Sequence, residues 1–86
     1  MNINDIELHR TCYACPEQYN AIDKITNEMV GYLRLRHGHF TVEVPDVFGK
    51  LVYESYPKGD GIFEEDERTN ELTNAILAIA DYYRKE

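Results

Sequence analysis

The run "GYLRLRHGHFTVEV", Gly31 to Val44, restricts the fold more than any other part of the chain. Apolar and polar residues alternate on both sides of His37-Gly38, a pair suited to a two-residue hairpin turn in which Gly38 takes positive φ. A two-residue turn sets Arg36 opposite His39, Leu35 opposite Phe40, Arg34 opposite Thr41, Leu33 opposite Val42 and Tyr32 opposite Glu43. Leu33, Leu35, Phe40, Val42 and Val44 then share one face, while Tyr32, Arg34, Arg36, His39, Thr41 and Glu43 share the other. That is the division a half-buried antiparallel sheet needs, and a slip of one residue would mix the two sets.

The rest of the chain extends this hairpin into a meander. "EQYNAID", Glu17 to Asp23, reads as a strand joined by "KITNE" to a partner that begins at Met29. A short strand over Ile6 to Arg10 is expected before it. "LVYESY", Leu51 to Tyr56, follows the turn residues of "PDVFGK" and is β-branched and aromatic enough for a last strand. After "PKGDG", Leu72, Ala75, Ile76, Ile79, Ala80 and Tyr83 recur at helical spacing. Glu64 to Glu67 at the start of that segment and Arg84 and Lys85 at its end suit the helix macrodipole. The predicted architecture is α+β: one domain over residues 1–86, with an antiparallel sheet of four or five strands and a C-terminal amphipathic helix on its apolar face.

With 86 residues the chain has room for one core. Its 43% apolar content suits a globular domain, and a formal charge of −7 argues against binding to phosphate backbones. No direct nucleic-acid contact is therefore expected. No segment is apolar enough for a membrane span, and "MNINDIELHR" lacks an apolar leader core, so a cytoplasmic protein without membrane contact is expected.

"RTCYACPEQY" poses the main chemical question. In a reducing compartment its C-x-x-C pair signals metal binding, redox chemistry or two buried thiols. The meander brings the residues before Glu17 to the same sheet end as the His37-Gly38 turn. Cys12, Cys15, His37 and His39 are thus a candidate zinc set, two thiolates and two imidazoles being a tetrahedral donor group, with His9 as a substitute. The plainer reading, and the one preferred, makes the cysteines small buried apolar side chains and the histidines turn residues, with no cofactor. A redox dithiol is the third reading, but such pairs place their first thiol at a helix N-terminus, whereas this one precedes a strand. No nucleophile with a paired base, phosphate loop or purposeful carboxylate pair is evident, so no enzyme is expected. The remaining candidate is the sheet face bearing Tyr32, Arg34, Arg36, His39 and Thr41, a basic and aromatic cluster in an acidic chain. Tyr and Arg are the residue types that dominate protein interfaces; the alternative is an ordinary solvated face.

"CYACPEQYNAID" and "GYLRLRHGHFTVEVP", together with the acidic helix start "FEEDER", resemble a group of short proteins encoded by phages and prophages of Gram-positive bacteria, over residues 8–66. The resemblance carries no catalytic motif. It implies an accessory protein of a mobile element that binds and blocks a host protein. A sheet edge open to a second copy adds homodimerisation to the expectations.

Overall fold

The structure, a computed structural model, describes residues 1–14 and 16–84. Five strands, β1 (Ile6–Cys12), β2 (Glu17–Asp23), β3 (Glu28–Arg36), β4 (His39–Val44) and β5 (Lys50–Ser55), form one antiparallel sheet in chain order, and helix α1 (Glu65–Arg84) packs against it. A short 3₁₀ turn, Ile3–Asp5, leads into β1. The α+β meander expected from the sequence is therefore observed, with β1 running two residues beyond Arg10 and β3 and β5 each beginning one residue early.

The β3–β4 register is the predicted one at all five pairs, from Tyr32 opposite Glu43 to Arg36 opposite His39. His37 (φ 54°) and Gly38 (φ 72°) both adopt left-handed backbone, the condition for a type I′ turn whose twist matches the flanking strands. At the β2–β3 turn Asn27 takes the same conformation (φ 63°), and the Asp23 carboxylate accepts from the Ile25 amide at 2.9 Å. The β1–β2, β2–β3 and β4–β5 ladders each contain a register shift, which bends the sheet around the helix. The β3–β4 ladder runs without one.

Period two sends Leu33, Leu35, Phe40, Val42 and Val44 inward, where they are buried with Tyr19, Ala21 and Phe63. Phe40 meets Phe63 and Tyr53 edge-on, with ring centroids 4.9 and 6.0 Å away. The helix contributes Ala75, Ile79 and Ala80, with Leu72, Ile76 and Tyr83 packed around them. Gly31 lets the helix approach closely, since a Cβ there would stand 2.6 Å from Ile79 Cδ1.

Polar anchors fix the helix along the sheet. Tyr53 and Ser55 of β5 donate to Glu71 at 2.8 and 2.9 Å, and the Tyr83 hydroxyl donates to the Val30 carbonyl at 3.1 Å. At the helix start Glu67 accepts from the Glu64, Lys58 and Gly59 amides, each at 2.8 Å, half of a capping box extended to the preceding loop. The acidic helix start is thus in part capping chemistry. That loop closes the sheet end, with Gly38 N–H donating to Asp60 C=O at 2.6 Å and Glu17 N–H to Gly61 C=O at 2.7 Å. Among the described residues no helix is long and apolar enough to cross a membrane.

Candidate functional site

Two clusters of charged residues flank the β3–β4 hairpin, one on each face of the sheet. The inner one centres on Glu17. Because β2 alternates Glu17, Tyr19 and Ala21 on its inward face, the carboxylate enters the core, where it is fully buried. It accepts from Arg68 Nε at 2.9 Å and Nη2 at 3.2 Å, from the Phe63 amide at 3.0 Å and from the Tyr19 hydroxyl. Arg10 lies 3.8 Å away, with its guanidinium over the rings of Tyr13 and Tyr19 and its Nε donating to the Cys12 carbonyl. Burial pushes the Glu17 carboxyl up, but the hydrogen bonds from Arg68, Tyr19 and Phe63 outweigh it and hold the group below its ordinary value. Burial and the adjacent carboxylate push the Tyr19 phenol up to about 12. Among the described residues no buried side-chain polar atom lacks a hydrogen-bond partner, so the role of this cluster is to tie β1, β2 and the helix start into one unit.

A pH dependence follows. The Glu17 and Glu67 carboxyls lie below their ordinary value of 4.5 in the folded protein. Their contribution to stability is therefore complete above that value and is lost as pH falls through the lower folded-state values. Melting temperatures measured between pH 7 and pH 3 should decline below about pH 4.5. Falling net negative charge acts in the opposite sense, so the diagnostic is the comparison with Glu17→Gln, whose acid decline should be shallower.

The outer cluster occupies the sheet face that carries no helix. Arg34, Arg36, His37, His39 and Thr41 line a depression of about 340 Å³. Tyr32 continues the row along β3 and is held by a hydrogen bond to Gln18 at 2.6 Å. His39 stacks on Tyr56, with centroids 4.6 Å apart and planes 4° from parallel, and pairs with Glu54 Oε1 at 2.8 Å. Among the arginines, Arg10 and Arg68 pair with Glu17 and Arg84 with Asp81. Among the described residues Arg34 and Arg36 pair with no carboxylate within 4.0 Å.

The structure therefore brings together the predicted face Tyr32, Arg34, Arg36, His39 and Thr41 and adds His37, Glu54 and Tyr56 to it. His37 could have been included from its place in the turn beside Arg36. Glu54 and Tyr56 depend on the β4–β5 register, which shifts at Val42/Glu43 and is not readable from alternation alone.

Of the candidate zinc set, Cys12 and His39 stand apart in the fold. Cys12 ends β1 while His39 begins β4, and β2 and β3 lie between them. Three strand spacings amount to about 14 Å, whereas ligands of one zinc ion each stand about 2.0–2.3 Å from it. Among the described residues no three His, Cys, Asp or Glu side chains gather in a metal-binding arrangement. Cys15 lies outside the described residues, and Cys12 is half-buried. His9, the substitute ligand, pairs with Glu7 on β1 at 2.5 Å. Comparison of the chain with protein-family models, with curated proteins and with solved structures found no match.

Proposed function

We propose that this chain is a non-enzymatic interaction protein, an accessory factor of phage or prophage origin that binds a host protein and blocks it. Docking takes place through the outer sheet face, with Arg34 and Arg36 at its centre and Tyr32, His37, His39 and Thr41 around them. The observation that carries this reading is the unequal use of the arginines. Sixteen acidic residues are available in the chain, yet among the described residues these two guanidiniums on a regular, uncovered ladder lack a carboxylate partner, while Arg10, Arg68 and Arg84 have one. Folding has not consumed them, so their charge and planar donors remain for another molecule.

The test is quantitative affinity capture from a lysate of a Gram-positive host, comparing the wild-type protein with Arg34→Glu/Arg36→Glu. The expected result is a host protein retained by the wild type, absent with the variant, and inhibited when the purified components are mixed. A partner held equally well by both proteins would move the docking surface elsewhere.

A further inference from the structure

Resting on the docking face just described, we infer that its occupant is an extended segment of a partner protein carrying carboxylates at alternate positions. Arg34 and Arg36 stand two residues apart on one face of β3. Their Cα atoms are therefore separated by about 6.6–6.8 Å, two strand rises. An extended peptide laid along β3 repeats its own side chains at the same interval, so Glu-x-Glu or Asp-x-Asp places one carboxylate over each guanidinium. Adjacent acids would point to opposite sides, and only one would reach the sheet.

The surroundings favour this occupant. At the turn end, His37 and the Thr41 hydroxyl line the same depression and supply further hydrogen-bonding groups, beside His39, whose Nε2 is already engaged by Glu54. At the other end, Tyr32 offers an aromatic ring with its hydroxyl already engaged by Gln18. The carboxylates on this face are partly engaged: Glu54 pairs with His39, and Glu43 accepts from the Phe48 amide at 3.4 Å. Both carboxylates and the net charge of −7 oppose a continuous phosphate chain more than a segment with two isolated charges.

The probes are two acetylated, amidated heptapeptides of identical composition, Ser-Thr-Glu-Thr-Glu-Thr-Ser and Ser-Thr-Glu-Glu-Thr-Thr-Ser, titrated into ¹⁵N-labelled protein at low salt. The alternating peptide should shift backbone amides of residues 32–41 and bind about tenfold more tightly than its isomer, the difference of one charge-assisted contact. Arg36→Ala should remove that preference. Equal affinities, shifts confined to residues 65–84, or tighter binding of single-stranded hexathymidylate would each overturn the inference. The docking face is judged separately: a host protein captured through Arg34 and Arg36 with no peptide preference leaves the face standing and refutes the acidic segment, whereas failure of both refutes both.

Discussion

Glu17→Ala is expected to remove a large share of the molecule's stability. The substitution leaves the Arg68 guanidinium, the Phe63 amide and the Tyr19 hydroxyl without their shared acceptor, and it opens a cavity where the side chain was fully buried. Breaking a buried ion pair by deleting one partner costs about 3–5 kcal/mol. A chain of this length has about 4–13 kcal/mol in total. At roughly 4–8 °C per kcal/mol, the midpoint should fall by about 12 °C or more, a change that calorimetry or circular dichroism reads directly. Glu17→Gln keeps the shape and part of the hydrogen bonding, so its loss should be smaller, about 2 kcal/mol. If Glu17→Ala melted like the wild type, the carboxylate would not be the tie between β2 and the helix start.

The second large effect is expected from Leu35→Asp and Phe40→Asp. These residues face one another across the hairpin and are both fully buried, Phe40 against Phe63 and Tyr53. Each substitution would place an unpaired carboxylate in the single core, at a cost above about 4 kcal/mol, and should yield protein without a cooperative melt. On the same two strands Arg34→Ala should cost within about 0.5 kcal/mol, because the side chain lies on the outer face with no ion-pair partner among the described residues. Equal tolerance of all three changes would mean that the two faces are misassigned.

The contrast between these two cases shows what alternation can and cannot convey. The hairpin was legible because five pairs had to agree at once, each inward residue being apolar and each outward one polar or aromatic. The helix was legible for the same reason at a different period. Glu17 stands at an inward position of a strand whose next two inward residues are Tyr19 and Ala21, a placement that alternation permits but that was not anticipated. What it could not convey was the compensation, since Arg68 lies 51 residues away and reaches Glu17 only after the helix has docked. A similar limit explains the zinc set. Chain direction correctly assigns the end of β1 and the β3–β4 turn to one end of the sheet, but the width of the sheet separates Cys12 from His39. The grouping of Tyr32, Arg34, Arg36, His39 and Thr41 on one face needed only the hairpin register, and for that reason it was visible beforehand.

Edge pairing looks different once the ladders are known. Both edge strands, β1 and β5, carry register shifts in their pairing with the neighbouring strand, at Arg10/Cys12 and Val42/Glu43. Bulges of this kind twist an edge away from a regular template and act against sheet extension by a second copy. Arg34 and Arg36, which have no ion-pair partner among the described residues, lie instead on the face of the regular β3–β4 ladder, which is why the proposed docking surface is that face rather than an edge.

On the proposed reading the arginines divide into those that hold the fold and those left for a partner. Thermal melts of Arg68→Ala and of the double variant Arg34→Ala/Arg36→Ala, run side by side at pH 7, separate the two groups. Arg68→Ala uncovers the buried Glu17 carboxylate and should lower the midpoint by about 12 °C or more, whereas the double variant should stay within about 8 °C of the wild type. A double variant that melts as early as Arg68→Ala would contradict the claim, because Arg34 and Arg36 would then be part of what holds the sheet together.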